Sequence, residues 1–259
     1  MSASRRIGRT LPLSPPRRFV VDLMHFAQRT PTVPVERRLD VADLAEARLR
    51  TSPRIGWAAM FLKAYGLVAA ARPELRRCYL RWPRPRLYEH PENVASLAIE
   101  RDVAGEPAVV IAHRPQPEQT PLTGLDAWMG RLKTAPVESL PSFRRLLRIA
   151  PLPWPLRRLA LWSAWSAHGR WHAKYLGTFG LSTVAAHGAS LPHLLSPLAI
   201  TLNYGPLRPD GSLDVTLLFD HRVLDGGPAA RALADLESAL NGPVLAELRS
   251  GACRVLRAA

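Results

Sequence analysis

The hydrophobic pattern of the chain changes abruptly between residues 213 and 240, and this change constrains the local fold more than any other feature of the sequence. Apolar side chains alternate from Leu213 to Phe219, which is typical of a strand with one buried face. From residue 229 they recur at helical spacing instead, until the Asn-Gly-Pro sequence at 241–243 stops the run. The pattern predicts a strand that turns tightly into a helix.

A histidine, His221, lies at the end of this predicted strand, and Asp225 follows where the helix should begin. Strand ends and the turns after them hold reactive side chains on a rigid scaffold. Histidine can act as a base near neutral pH if one ring nitrogen is bare and aimed at the proton. Asp225 can hold the turn, and Gly226 lets the backbone bend. An isolated His-x-x-x-Asp-Gly sequence is more often an ordinary turn, so this pattern alone does not predict an enzyme.

The sequence around this histidine resembles the end of the catalytic domain of the 2-oxoacid dehydrogenase acyltransferases, the E2 components. The similar residues are Asp220-His221-Arg222-Val223-Leu224-Asp225-Gly226 and the helix after them. The sequence at 177–182, Gly-Thr-Phe-Gly-Leu-Ser, is similar to the Gly-Thr-Phe-x-x-Ser segment of that family. Residues 13–18 with Met24 resemble its opening Leu-Ser-x-x-Arg-x and Met, and residues 57–75 resemble its long helix. Weak similarity in the same order therefore covers most of residues 11–250.

The resemblance implies a fold and an activity. The fold is an α/β two-layer sandwich of the chloramphenicol acetyltransferase type, with a mixed sheet packed against helices. The activity is transfer of an acyl group between coenzyme A and a thiol or hydroxyl acceptor, either a small molecule or carrier-bound. The chain has no Asp-Lys-Ala lipoyl segment, so we expect a stand-alone acyltransferase without a covalently bound lipoyl group. Condensation domains pair two such halves, and this chain is about one half.

The resemblance also implies roles for individual residues. His221 would be the general base, Ser182 the donor to the tetrahedral oxyanion, and Asp225 the residue that clamps the loop. Arg17 matches the family arginine that pairs with this aspartate, with its neighbour Arg18 as an alternative. Gly226 supports the turn, and no residue is assigned to coenzyme A binding. The family forms trimers in which this histidine faces the serine of a neighbouring subunit, so we expect a homotrimer or a higher assembly of trimers.

We expect a flexible basic segment at 1–12, the catalytic domain at 13–250 and a tail at 251–259. Segment 139–176 departs most from the family. It is rich in arginine, and residues 139–209 contain no Asp or Glu. Leu156, Leu159, Trp162 and Trp165 recur at helical spacing. This pattern predicts a helix that faces the core with these side chains and has a solvated basic face on the other side. Two other interpretations stay open: a basic tryptophan-bearing helix on an anionic membrane surface, or one wall of an acyl-chain pocket.

The formal net charge of +14 favours an anionic partner. Coenzyme A, acidic lipid and nucleic acid all fit this charge. Nucleic acid is the least favoured of the three, because the sequence contains no recognised nucleic-acid-binding motif. Cys78 and Cys253 show no redox or metal spacing, and the basic amino end makes a poor signal peptide, so we expect a cytoplasmic protein.

Two further alternatives concern metal and activity. His168 and His172 have the i, i+4 spacing of a helical chelate, but no nearby carboxylate or cysteine completes a set, so we expect no metal. The chain could also be an inactive relative that serves as an oligomeric scaffold or binding module. The unusual hairpin turn at 103–106 and the missing lipoyl arm favour that alternative, whereas the intact histidine, aspartate, glycine and serine argue against it.

Overall fold

The computed structural model of the protein describes residues 8–103 and 105–258. Residues 1–7 of the predicted basic segment at 1–12 and Ala104 of the hairpin turn therefore lie outside the described residues. In chain order the elements are α1 (Pro15–Ala27), β1 (Thr32–Asp40), α2 (Ala42–Leu49), α3 (Trp57–Ala71), β2 (Arg77–Leu80), β3 (Arg86–Glu89), β4 (Val94–Val103), β5 (Glu106–Pro115), α4 (Leu122–Thr134), α5 (Pro141–Ile149), α6 (Trp154–Trp162), α7 (Gly169–Tyr175), β6 (Phe179–Leu181), β7 (Ile200–Tyr204), β8 (Ser212–Asp220), α8 (Gly226–Ala239) and α9 (Leu245–Ala258).

Six strands form one mixed sheet in the order β1-β8-β7-β6-β4-β5. The short strand β6 runs parallel to both of its neighbours, and the remaining pairs are antiparallel. The predicted hairpin over residues 93–112 is β4–β5, with Asp102 opposite Pro107. The proline- and arginine-rich stretch at 81–91 contains β3, which pairs with β2 in a separate hairpin.

The main core lies between one face of this sheet and α3 and α8. Nearly all of α3 is buried, as its almost continuous apolar sequence predicts. Phe61 stacks on Tyr204 with a centroid distance of 4.4 Å, and Tyr65 contacts Phe179 at 4.5 Å. The buried Lys63 donates to the Thr120 carbonyl at 3.0 Å and pairs with a glutamate of α9. The predicted α/β sandwich, a mixed sheet packed against helices, is confirmed.

The opposite face of the sheet is covered by α1 and by the helices of segment 139–176. Here the predicted core-facing helix is wrong, because α6 has no buried residue and both Leu156 and Leu159 are more than half exposed. Arg157 is among the side chains of α6 that point inward, and it pairs with the buried Asp22 of α1. Because residues 139–209 lack carboxylates, α1 supplies the countercharge. The membrane-surface interpretation of this segment stays a prediction.

At the carboxyl end, α9 runs to Ala258, so residues 251–258 of the predicted tail continue a helix. Within the described ranges, no helix is both long and apolar enough to cross a membrane.

Candidate active site

His221 follows directly after β8, at the start of the loop that leads into α8. Its backbone N–H donates to the Pro31 carbonyl at 3.1 Å, which ties the loop to the start of β1. Its side chain is 54% exposed, and Nδ1 lies 3.6 Å from a carboxylate oxygen of Asp225. That distance is longer than a hydrogen bond. The imidazole is therefore accessible from outside the chain and is held mainly through its backbone.

The predicted pairing of Arg17 with Asp225 is not formed. Asp225 occupies the N-cap position of α8, but its carboxylate makes no capping bond and is 82% exposed. Arg17 lies in the first turn of α1, where its Nε is 3.9 Å from a carboxylate oxygen of Glu106. Ser14 caps that helix and accepts from the Arg17 backbone N–H at 3.3 Å. Because this cap places Arg17 beside the β4–β5 turn, it has a different carboxylate partner.

Another carboxylate, Asp220, holds the loop instead. It is the last residue of β8, its side chain is 3% exposed, and Arg222 binds it in a bidentate pair with bonds of 2.9 Å from Nε and 2.7 Å from Nη2. The guanidinium of Arg222 also lies 4.3 Å from the centre of the Tyr79 ring. The Asp220 carbonyl accepts from two later loop N–H groups, at 2.8 and 3.1 Å. This clamp was missed from the sequence, although an Asp and an Arg flank the histidine.

We expect Asp220→Asn to lower the free energy of unfolding by about 2–3 kcal/mol, because it removes the charge of a buried carboxylate and leaves Arg222 without its anion. Asp225→Asn is the matched control, since the same change at an exposed carboxylate should shift stability by less than about 0.5 kcal/mol. Urea denaturation of both variants measures the difference. Equal effects of the two substitutions would show that Asp220 is not the clamp.

Ser182 follows β6, and its backbone N–H donates to the Leu202 carbonyl at 3.1 Å. The segment before it is fixed by Gly177, whose φ of +92° favours glycine and whose Cβ would lie 2.9 Å from the Val94 carbonyl oxygen. The Thr178 hydroxyl accepts from the Val94 N–H at 3.0 Å. Since side chains alternate across a strand, Ser182 faces away from the main core, on the side covered by α1 and segment 139–176. The Gly-Thr-Phe sequence therefore sets the position of the serine.

The strand register places Ser182 and His221 at opposite ends of the sheet. Leu181 pairs with Leu202 in parallel, and Leu202 pairs with Leu217 in antiparallel register. These three leucines form one row across the sheet. Ser182 lies one residue from the row along the direction of β6, and His221 lies four residues from it in the opposite direction. At about 3.3 Å per residue and about 4.8 Å per strand, the two backbones are roughly 19 Å apart. Within one chain, these side chains cannot act on the same carbonyl carbon.

A cavity of about 650 Å³ opens beside Ser182. Its floor is the cavity-facing side of β4 and β5, and its walls are α1, the loop at 194–198 and the helices of segment 139–176. Most of the lining is apolar, including Phe19, Leu23, Ile111, Phe143, Leu161 and Leu195. Segment 139–176 thus forms one wall of an apolar cavity at the predicted catalytic serine. This placement agrees with the interpretation of the segment as one wall of an acyl-chain pocket.

A second cleft, of about 590 Å³, lies at the same end of the sheet. It is lined by the cations Arg48, Arg54 and Lys133 and by the indole of Trp57. It is joined to the serine segment through Thr183, whose hydroxyl donates to the Tyr204 carbonyl at 2.8 Å. This cleft could not be predicted from the sequence, because its basic residues come from elements that are far apart along the chain.

No protein-family model matches the chain, and no curated protein is similar to it in sequence. Solved structures are similar in fold. A dihydrolipoamide acetyltransferase from Azotobacter vinelandii, studied for the role of a serine, a histidine and an asparagine in its mechanism, has a TM-score of 0.67 and 18% identity over 93% of this chain and 94% of that one.

Two further structures show the same fold. A chain of the cubic core of the pyruvate dehydrogenase multienzyme complex has a TM-score of 0.64 and 17% identity, over 93% of this chain and 94% of that one. A chloramphenicol acetyltransferase has a TM-score of 0.52 and 12% identity, over 85% and 94%. At these identities the likeness establishes the predicted fold. The roles of His221, Ser182 and Asp225 stay predictions.

Proposed function

We propose that the protein transfers an apolar acyl group between coenzyme A and a thiol or hydroxyl acceptor, at a site shared by two copies of the chain. The observation that supports this most directly is that Ser182 lines an apolar cavity. An acyl chain in the cavity would place its thioester carbonyl beside the serine hydroxyl. The acetyltransferase function of proteins with the same fold agrees with acyl transfer in general.

In this mechanism the His221 imidazole removes the proton from the acceptor thiol or hydroxyl as that atom attacks the thioester carbonyl. The carbonyl π electrons move to oxygen, and the Ser182 hydroxyl donates a hydrogen bond to the resulting oxyanion. Collapse of the tetrahedral intermediate breaks the carbon–sulfur bond. The coenzyme A thiolate leaves and takes the proton from the imidazolium, which restores the neutral base. The clamp of Asp220 on Arg222 keeps the loop and its histidine in place.

The separation of roughly 19 Å within one chain requires that the histidine come from a second copy. We propose a homotrimer, in which each His221 faces the Ser182 of the next chain. The similarity to a chain from a cubic multienzyme core supports assembly of this kind. Since each chain has a net charge of +14, the interface must be large and apolar enough to overcome mutual repulsion.

The basic cleft beside the serine segment is the proposed binding site for the anionic part of coenzyme A. Arg54 and Lys133 are exposed cations on its rim, and the indole of Trp57 offers a flat surface for a purine base. Phosphate groups bind well to such cations, and bases stack on aromatic rings. The thioester end would then extend toward Ser182 and the apolar cavity.

We expect kcat/KM to rise roughly fourfold for each added acyl methylene until the cavity is full, because each buried CH₂ contributes about 0.8 kcal/mol. A series of straight-chain acyl-CoAs, assayed for coenzyme A release with thiol and alcohol acceptors, measures this dependence. Ala98 lies on β4 and lines the cavity, so Ala98→Phe should block part of it and end the gain at a shorter acyl chain while acetyl transfer persists.

The outcomes of this series separate the hypotheses. Acyl transfer at a rate that does not depend on chain length, in both the wild type and Ala98→Phe, would contradict the proposal that the acyl group is a long apolar chain. It would still support an acyltransferase. No transfer from any acyl-CoA, by a protein that assembles normally, would overturn the proposed function and favour the scaffold alternative.

A further inference from the structure

Three buried side chains from separate parts of the chain meet away from the acyl site. Cys78 lies on β2, His90 directly follows β3, and His172 lies on α7. Each is at most 2% exposed. One ligand atom from each residue, a sulfur and two ring nitrogens, lies within 4.8 Å of the other two. Thiolate and imidazole are the ligands that bind zinc in proteins.

Two of the three side chains have buried nitrogens with no hydrogen-bond partner among the described residues. These atoms are Nε2 of His90 and Nδ1 of His172. The ring centroids of the two histidines are 5.4 Å apart. Buried polar atoms are nearly always paired, since burial without a partner costs free energy. Both histidines of the cluster thus have a buried nitrogen that a metal ion could pair with.

The local packing holds the three groups together. Gly169 starts α7 against β3, where an added Cβ would lie 2.2 Å from the Tyr88 ring, so this close approach requires glycine. Tyr88 also contacts His90 edge-on, with centroids 5.0 Å apart. The approach of α7 to β3 therefore brings His172 against His90. The cluster forms by tight packing between elements and involves no exposed loop.

We propose that Cys78, His90 and His172 bind one zinc ion, or another transition-metal ion that prefers nitrogen and sulfur. Zinc–nitrogen bonds of about 2.0–2.1 Å and zinc–sulfur bonds of about 2.3 Å place tetrahedral ligands roughly 3.5 Å apart. The most distant of the three atoms, at up to 4.8 Å, would need to approach by about 1 Å on binding. Three protein ligands leave the fourth position for water or another small ligand.

The two histidines are already in the charge state that a metal ion needs, whereas Cys78 has to lose a proton. Burial lowers the pKa of His90 to about 4 and that of His172 to about 3, so both rings are neutral near pH 7 and have a free lone pair. Burial raises the pKa of the Cys78 thiol to about 12, so binding of the ion displaces its proton. The i, i+4 pair considered from the sequence is not the site, because His168 is exposed and accepts from the Arg170 N–H at 3.2 Å.

The position of the ion would link it to the loop of the candidate active site. Cys78 belongs to a small apolar cluster with Ala199, against which Val223 packs. The Ala199 carbonyl accepts from the Asp220 N–H at 2.8 Å. A zinc ion at Cys78 would therefore connect α7 and the β2–β3 hairpin to the base of the loop.

The test uses the full-length protein, incubated with zinc chloride, dialysed and analysed by elemental mass spectrometry. We expect about one zinc ion per chain in the wild type and a loss of this ion in Cys78→Ser and His172→Asn. His113→Asn is the matched control, since His113 is another mostly buried histidine with an unpaired Nε2, outside the cluster. It should keep the zinc ion, as should His168→Asn.

Cobalt substitution gives a second readout that does not depend on folding of the variants. The wild-type cobalt protein should show thiolate-to-cobalt charge-transfer absorption, because Cys78 binds the ion through sulfur. Substoichiometric zinc in the wild type, equal zinc in the wild type and the cluster variants, or cobalt spectra without a thiolate band would each overturn the proposal. None of these measurements depends on acyl transfer.

Discussion

The His221→Ala variant is expected to lose acyl transfer by about 10²–10⁴-fold, because general-base catalysis by a positioned side chain contributes a factor of this size. The fold should persist. The imidazole is 54% exposed, and the loop is held by the backbone bond to Pro31 and by the Asp220–Arg222 pair, which the substitution leaves intact. Steady-state rates with the best acyl-CoA, together with a thermal melt, measure both effects.

The matched control for this variant is His168→Asn, because His168 is exposed and asparagine can replace its capping side chain at the start of α7. It should keep the wild-type rate. Wild-type turnover in His221→Ala would refute the proposed base, whereas a shared loss of rate in both variants would point to a general structural effect.

The second large effect is expected for Ser182→Ala. It should lower kcat by about 10²–10³-fold with little change in KM, because loss of one oxyanion donor acts on the transition state and leaves ground-state binding intact. The serine backbone is fixed by the Leu202 carbonyl and the cavity walls remain, so the acyl chain should still bind. Full saturation curves separate kcat from KM.

Ser190→Ala, at an exposed serine in the following loop, is the control and should leave both constants unchanged. If Ser182→Ala raises KM while kcat stays at the wild-type value, the serine contributes to binding alone and the oxyanion role is wrong.

The parts of the fold that depend on local periodicity could be predicted from the sequence. The change from a two-residue to a helical period placed His221 at a strand end, and the apolar run at 55–71 predicted the buried α3. These predictions succeed because strands and helices impose their own spacing on the buried side chains. The resemblance to the E2 catalytic domains supplied the topology, which periodicity alone does not contain.

The contacts between distant segments could not be predicted. Helical spacing predicted that Leu156 and Leu159 of α6 face the core, but α6 turns Arg157 toward the buried Asp22 and leaves these two leucines exposed. The family pattern paired Arg17 with Asp225, yet the structure holds the loop through Asp220 and pairs Arg17 with Glu106. Each of these outcomes depends on which elements pack together in three dimensions.

The cluster of Cys78, His90 and His172 shows the same limit. Its members are widely spaced along the chain, so the sequence contains no metal-binding motif. A Cys and two His residues in such an arrangement become visible only when the β2–β3 hairpin packs on α7.

Mixing the two inactive variants tests whether two chains share one active site. Differently tagged His221→Ala and Ser182→Ala proteins are unfolded together, refolded, and purified through both tags to isolate mixed assemblies. The separate variants should be nearly inactive. In a random equal mixture, about a quarter of the interfaces pair an intact histidine with an intact serine, because each must come from the other variant.

The total refolded mixture should therefore recover about a quarter of the wild-type activity, concentrated in the doubly tagged trimers. Light scattering of the same sample should give the mass of a trimer or of an assembly of trimers. A monomeric protein, or verified mixed trimers with no more activity than the separate variants, would contradict a site shared between chains.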